Sequence, residues 1–456
     1  MSNRQHQTAD MLQGPLLKNI WIFSVPLMLT NFLQMLFNAA DTVIVGRFAG
    51  QQALAAVGAT GSLCFLLISL FNGLSMGSNV LIARYLGAND QKGIERAVHT
   101  SMALSGISGL IMAILGFFLS RPRLTMMSTP ADIIDLSVLY MRIYFVGACF
   151  SLIYNFGASI LRAKGDTKRP LYFLFISGAT NVVLNVVFVV FFHWSVFGVA
   201  FATVISQAIA ATMVCVTLTR QQDATKLDFK KLGIDLSMAK SIIRIGVPAG
   251  IQGMVFSLSN VVIQSSINSF GSSAIVAGNS AAGNIEGFVY IGTMAFTQAC
   301  MTFTSQNIGA RNYSRVKEIM KLTMVLTIVS AAAISFTVWF FGDFFLGLYT
   351  TEAAVIEIGK IRLTYVVLPL LLNGILDIFV ASMRGMGYSM LPTVTMILGI
   401  CGVRLLWIWT IFPVHNTLTA IYLCFPISWA VTSAFQWIFW HRCHNGLLRT
   451  TPTTLS

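Results

Sequence analysis

Apolar runs broken by short polar loops recur along the whole chain, and the runs reach the length of about 20 residues that a helix needs to cross a bilayer. Twelve spans are expected: 20–46, 53–84, 94–119, 133–160, 171–191 and 196–219, then 241–269, 275–307, 316–341, 355–384, 392–412 and 418–440. Several are longer than the bilayer requires, which implies tilt or continuation beyond the lipid. The pattern predicts an all-α membrane protein of twelve transmembrane helices.

The first span, WIFSVPLMLTNFLQMLFNAADTVIVG, carries a polar stripe. Gln34, Asn38 and Asp41 are spaced by four and three residues, which places them on one helical face. A carboxylate at membrane depth costs roughly 2.5–3.5 kcal/mol on insertion scales, so it normally faces protein interior or a water-filled cavity. Pro26 removes a backbone hydrogen bond one turn into the span and invites a kink. Asp41 is therefore either part of a transport site or a carboxylate solvated at the outer interface.

The two halves repeat. A shift of 222 residues without a gap pairs Pro26 with Pro248, Asn38 with Asn260, Gly61 with Gly283, Gly87-Ala88 with Gly309-Ala310, Arg162 with Arg384 and Gly165 with Gly387. Six spans per half give both halves one orientation, so an axis along the membrane normal and two lobes around a cavity are expected. The expected divisions are an N-lobe over 1–220, a polar linker over 221–240 and a C-lobe over 241–456. Putting the tails and every second loop on one side gathers all but seven of the 29 Lys and Arg there, the exceptions being Arg47, Arg121, Arg123, Arg142, Lys360, Arg362 and Arg404. Both termini are thus expected to be cytoplasmic.

Composition sharpens this picture. Of 456 residues, 56% are hydrophobic and 10% charged, and mean hydropathy is +0.76. That is too little charge to cover a soluble domain of this size. The net charge of +13 sits in the loops, where it reads as a topology signal and not as a nucleic-acid surface. Residues 1–19 are polar and the first apolar run is too long for an h-region, so no cleaved leader is expected. The seven cysteines are scattered without disulfide or metal-binding spacing. No GxxxxGK[ST] loop is present, which argues against direct use of ATP. No HExxH or paired Asp-rich motif points to an intramembrane enzyme. His441-Arg-Cys-His444 reads as an ordinary tail, and Arg162–Pro170 (RAKGDTKRP) as a turn.

Beyond Asp41, two carboxylates lie well inside spans. Glu286 shares a face with Asn279, Gly283, Tyr290, Thr293 and Thr297, and is expected to lie in a cavity without a charged partner. Asp377 follows Asn373 by one turn. The repeat maps Asp41 to Ile263 and Glu286 to Cys64, so the lobes are built alike but differ chemically. Either carboxylate is a cation or substrate site, or hydrogen-bonds a neighbouring helix in its protonated form. Asn181 and Asn185, one turn apart in the fifth span, are interhelical glue or part of a site. Arg142 and Arg404 pair with carboxylates or contact substrate. The intramembrane charge leans acidic.

Several segments resemble the multidrug and toxic compound extrusion (MATE) family: Asn38–Gly58 (NAADTVIVGRFAGQQALAAVG), Ala83–Ala97 (ARYLGANDQKGIERA) and Ile160–Pro170 (ILRAKGDTKRP). Ser305–Glu318 (SQNIGARNYSRVKE) and Met383–Pro392 (MRGMGYSMLP) are similar to that family's second half. The resemblance implies a V-shaped transporter exporting amphipathic, often cationic compounds in exchange for inward-moving H⁺ or Na⁺. It assigns Asp41, Asn181, Asn185 and Asp377 to cation coupling, and Pro26 to bending. One branch of the family has Asp where this chain has Asn185; another has a seventh-helix carboxylate where this chain has Phe256, leaving Glu286 as the substitute. Glu286, Gln34, Asn38, Asn373 and Tyr290 are the expected substrate contacts. No catalytic residue, metal site, cofactor or nucleic-acid partner is expected, and a monomer in the bacterial inner membrane is. The rival readings are a lipid-linked oligosaccharide flippase of the wider superfamily and a non-transporting membrane receptor or enzyme.

Overall fold

The computed structural model describes residues 9–126 and 129–449; the outer ends of both expected lobes, 1–8 and 450–456, lie outside the described residues. The described chain is helical. Twelve long segments follow one another: α1 (Leu16–Ala49), α2 (Gln51–Gly87), α3 (Gln91–Met126), α4 (Ile134–Ala163), α5 (Lys168–Phe191), α6 (Ser195–Thr219), α7 (Leu236–Asn268), α8 (Ser273–Gly309), α9 (Tyr313–Phe340), α10 (Ala353–Gly385), α11 (Met390–Thr410) and α12 (Leu418–Arg449). Ten of them are long and apolar enough to cross a membrane, all except α2 and α8. Phe118, Val183, Leu398 and Trp409 are each more than half exposed. Side chains of that kind on a helix surface are stable only against lipid or another apolar body.

The internal repeat extends to the backbone. Asn89 and Arg311, which the 222-residue shift pairs, both turn with positive φ, at 53° and 58°. Gly165 and Gly387, also paired, have φ of 93° and 97°. The loops that carry the repeated motifs are thus the same turn built twice. In the first of these, Asp166 accepts a hydrogen bond from the Arg169 backbone N–H at 3.1 Å and pairs with the Arg169 side chain at 3.2 Å.

Two compact units are present. Val25–Ile251 belongs to one; Met11–Ser24 and the chain from Gln252 onward belong to the other. The division falls inside α1 just before Pro26 and inside α7 just after Pro248. In the first unit, α2, α3, α4 and α6 pack around Ile82, Met112, Phe145, Leu152 and Phe156, all essentially buried. The start of α7 joins them through glycines. A Cβ on Gly73 of α2 would lie 2.4 Å from the Gly246 carbonyl oxygen, and one on Gly77 2.4 Å from that of Ile242. Only a hydrogen at these positions lets the two backbones touch, the small-residue contact typical of membrane helices.

The linker is strapped to the same unit. The Asp228 backbone N–H donates to His99 Nε2 at 3.1 Å and that of Asp235 to Thr100 Oγ1 at 3.1 Å. Lys231 pairs with Glu95 at 2.8 Å, Arg96 with Asp235 at 3.3 Å, and Lys164 with Asp223. Partial burial pushes the Asp223 carboxyl up, but its bonds with Lys164 and Thr225 outweigh that and hold it below the usual carboxylate range.

The second unit is built around Ile285, Val289, Leu363, Val367, Leu376, Ile400, Tyr422 and Phe425. Met11 docks here: it is buried, and its carbonyl accepts from Asn307 Nδ2 at 3.0 Å.

Among the described residues four wider, π-type turns end or interrupt helices, at Val45–Ala49, Val186–Phe191, Leu363–Val367 and Ile397–Gly402. Three adjoin polar residues inside spans. One follows Asn185, one follows Arg362, and one ends two residues before Arg404. Such turns often mark functional positions in otherwise regular helices.

Candidate functional site

In the first unit, α1 and α5 approach through a second glycine. A Cβ on Gly178 would lie 2.0 Å from the Phe37 ring. Phe37 precedes Asp41 by one turn and Gly178 precedes Asn181 by nearly one, so this contact sets the carboxylate against the amides. Asn185 Nδ2 donates to Asp41 Oδ1 at 2.6 Å and also lies 3.2 Å from Asn181 Oδ1. Turned with its amide nitrogen towards Asp41, Asn181 donates to Oδ1 at 2.7 Å and to Oδ2 at 3.3 Å. Turned the other way, its Nδ2 reaches Thr203 Oγ1 at 3.4 Å. Both asparagines are buried and Asp41 is half-buried. Among the described residues, Asn185 Oδ1 is buried without a hydrogen-bond partner. A carboxylate, two amides and no cation thus form one cluster.

The structure leaves the rest of the first-span stripe outside this cluster. Gln34 and Asn38 are exposed, and neither side chain hydrogen-bonds a described residue. Arg142 is half-buried; its Nε donates to the Phe117 carbonyl at 3.3 Å and its guanidinium lies 4.6 Å from the Phe117 ring. It contacts backbone and aromatic ring, not a carboxylate.

The second unit holds two clusters. In one, Asp377 Oδ2 accepts from Tyr290 Oη at 3.2 Å and from Asn373 Nδ2 at 3.1 Å. Tyr290 thus leaves the face it shares with Glu286 and ties α8 to α10. In the other, Glu286 has a charged partner after all. Arg362 donates to Glu286 Oε2 through Nε at 3.2 Å and through a terminal nitrogen at 2.7 Å. Its other terminal nitrogen bonds Asn279 Oδ1, which also accepts from Tyr422 Oη at 3.1 Å, while Asn279 Nδ2 donates to Gln264 Oε1 at 3.0 Å. Thr293 and Thr297 turn back to carbonyls of their own helix.

Arg362, Tyr422 and Gln264 were missed by reading the sequence. For Arg362 the signal was present: it lies several residues inside the tenth span, where a cation needs a partner. With it counted, the expected acidic lean disappears in the second unit, where Arg362 and Arg404 stand against Glu286 and Asp377.

Arg404 is 3% exposed. Its Nε donates to Ser428 Oγ at 3.2 Å, and its guanidinium lies 4.2 Å from the Phe425 ring and 5.8 Å from the Trp429 ring. Among the described residues its two terminal nitrogens have no hydrogen-bond partner. A cation–π contact of this kind returns roughly 0.5–2 kcal/mol.

Among the described residues no group of three or more His, Cys, Asp or Glu is placed to hold a metal ion, and all seven cysteines are free. The tail histidines pack on Trp440, His444 by stacking and His441 edge-on.

Comparison with known proteins agrees with this architecture. The MatE family model matches twice, over residues 26–187 and 248–410, and the two matches begin at the prolines that the repeat pairs. A "probable multidrug resistance protein" of Bacillus subtilis is 30% identical over 85% of this chain and 85% of its own. The multidrug export protein MepA of a Staphylococcus aureus strain is 23% identical over 92% of this chain and 91% of its own. A solved structure described as the outward-facing conformation of a multidrug resistance MATE family transporter superposes with a TM-score of 0.90 at 22% identity, covering 98% of this chain and all of that one. That last likeness shows the fold, and the two family matches with the B. subtilis relative show the kinship: the chain is a multi-pass membrane protein that belongs to the MATE family.

Proposed function

We propose that the protein exports amphipathic, often cationic small molecules across a bacterial inner membrane, exchanging them for H⁺ or Na⁺ that moves inward. Transport proceeds by alternating access, as a monomer, without ATP, cofactor or covalent chemistry, and with both termini cytoplasmic. The printed descriptions of the curated relatives as multidrug resistance or export proteins support the substrate class. The repeat of two six-helix halves supports the mechanism.

The observation that carries the reading is the Asp41 cluster. Its partners are neutral amides, so nothing fixes the carboxylate in one charge state. Ionised, Asp41 accepts from Asn185 and from the Asn181 amide nitrogen. Protonated, it donates to Asn181 Oδ1 once that amide turns over, because the same contact is then a hydroxyl against a carbonyl. A sodium ion would draw on the same oxygens together with Asn185 Oδ1. Either cation changes the bonding of α1 to α5, and Pro26 gives α1 a place to bend. Within the first unit Gln34 and Asn38 on α1, and within the second Tyr290, Asn373, Asp377 and the free oxygen of Glu286, are each unit's own further contacts for cation or substrate.

The test is accumulation of an aromatic cationic dye in proteoliposomes of the full chain under an imposed pH gradient alone, and then under a Na⁺ gradient alone. Uptake driven by at least one gradient is expected. Absence of gradient-driven uptake under both overturns the reading.

A further inference from the structure

We propose that Arg404 is the centre of an anion subsite that receives a carboxylate of the transported molecule, so that acidic and zwitterionic amphiphiles are among the substrates. The proposal rests on the export reading above.

Three independent observations converge. The side chain is 3% exposed, yet among the described residues only Nε is hydrogen-bonded, to Ser428. The two terminal nitrogens, four N–H donors in a planar fork, meet no protein oxygen. Next, the charge around it does not cancel. Glu286 is already engaged by Arg362 through two donors, and among the described residues no carboxylate forms an ion pair with Arg404. Last, the backbone is specialised at this point: the wide turn Ile397–Gly402 ends two residues before Arg404. The nearby π-type turn Leu363–Val367 likewise directly follows Arg362.

The chemistry of these donors selects the ligand. A single uncompensated charge matches a monoanion; a phosphate dianion would need a second free cation. Two parallel N–H donors match a planar carboxylate in bidentate geometry. The surroundings match an amphipathic body, because Tyr422, Phe425 and Trp429 follow one another on α12 at spacings of three and four. Their rings lie within 6 Å of one or both guanidinium groups. A zwitterion would place its ammonium at the Glu286 or Asp377 carboxylates and its carboxylate on Arg404.

The test uses three probes with one aromatic body: 1-naphthaleneacetate, its neutral amide and 1-naphthylmethylammonium. Binding to the purified full chain in nanodiscs is measured by calorimetry in a chloride-free buffer. Wild type is expected to prefer the carboxylate over the amide by about tenfold or more, the size of a charge-assisted bidentate contact. In Arg404→Gln that ratio falls to near one, and in Arg404→Lys, which keeps the charge and loses the fork, it is intermediate. Equal binding of carboxylate and amide by wild type overturns the proposal without any variant, so a misfolded Arg404→Gln does not shelter it. Full displacement of the carboxylate by 100 mM chloride with no carboxylate transport assigns the subsite to a free inorganic anion and overturns it as well. Gradient-driven transport of the ammonium probe is read in parallel: if it persists while the carboxylate preference is absent, only this inference fails, and if it too is absent, the export reading fails.

Discussion

Asp41 and Glu286, both half-buried, keep opposite company, whereas Asp377 in the second unit has neutral partners as Asp41 does. In the first unit, Asp41 is held by the amides of Asn181 and Asn185. In the second, Glu286 is clamped by Arg362 through two donors. Both halves descend from one repeat, and the repeat gives them the same turns at Asn89 and Arg311 and at Gly165 and Gly387. The difference begins with unmatched side chains, since the repeat sets Asp41 against Ile263 and Glu286 against Cys64. A neutral amide opposes protonation of its carboxylate only weakly, because it can turn over and accept from the acid. A guanidinium opposes it, because a protonated Glu286 would strand a buried cation. The first arrangement suits a group that must change charge; the second suits one that must not.

The largest effect follows from breaking the clamp. Arg362→Met leaves Glu286 buried and unpaired, a loss of about 3–5 kcal/mol, read as a lower midpoint of thermal unfolding in detergent. Arg362→Met/Glu286→Gln is expected to recover most of it. Asn185→Ala in the first unit removes a neutral donor, should cost only about 1 kcal/mol, and should damage transport far more than stability. Equal destabilisation by Arg362→Met and Asn185→Ala would erase the contrast between the units.

Next in size is Gly178→Val. The added carbons collide with Phe37 and force α1 away from α5. Overpacking of this kind costs about 1–3 kcal/mol, and gradient-driven export should fall further than the amount of folded protein does. Glu286→Gln leaves Arg362 without its carboxylate and so also destabilises; read per amount of folded protein, it sharpens the second unit's role. A cation–carboxylate contact is worth about 1 kcal/mol in water and several times that in a less polar site. Export of cationic compounds should therefore drop severalfold relative to neutral ones, and equal loss of both would assign Glu286 to structure alone.

The smallest effect lies outside both clusters. Asp223 is held below its ordinary range by Lys164 and Thr225 against partial burial. Its contribution is present above its unfolded value of about 4 and is lost as pH falls. Asp223→Asn should cost under about 1 kcal/mol, with the difference from wild type vanishing in acid when unfolding is followed against pH.

The fold was legible because its signals are local. Apolar length marks the helices, glycine and proline mark the turns, and one constant shift links Pro26 to Pro248 and Gly165 to Gly387. The Asp41 cluster was half legible: one-turn spacing joins Asn181 to Asn185, but only the family resemblance, and no spacing, joins them to Asp41. Gly178 brings α1 to α5, and a glycine's purpose shows only when its neighbour, Phe37, is in place. The second unit was less legible. Glu286 and Arg362 are distant along the chain, and Arg362 stands near a loop where it reads as a topology charge. Tyr290 lies at helical spacing from Glu286, yet its hydroxyl reaches Asp377 on α10. Helical periodicity tells which residues share a face, and only packing tells what that face meets.

The central claim is that Asp41 is the carboxylate whose charge changes during transport. It is tested most directly by cation flux through Asp41→Asn in proteoliposomes, with substrate added to one side. The variant keeps shape and polarity and cannot ionise. It is predicted to reconstitute at wild-type levels and still exchange substrate for substrate, with no substrate-induced movement of H⁺ or Na⁺ and no accumulation against a gradient. Wild-type cation flux and full accumulation by Asp41→Asn would contradict the account and move the coupling site to Asp377 or Glu286.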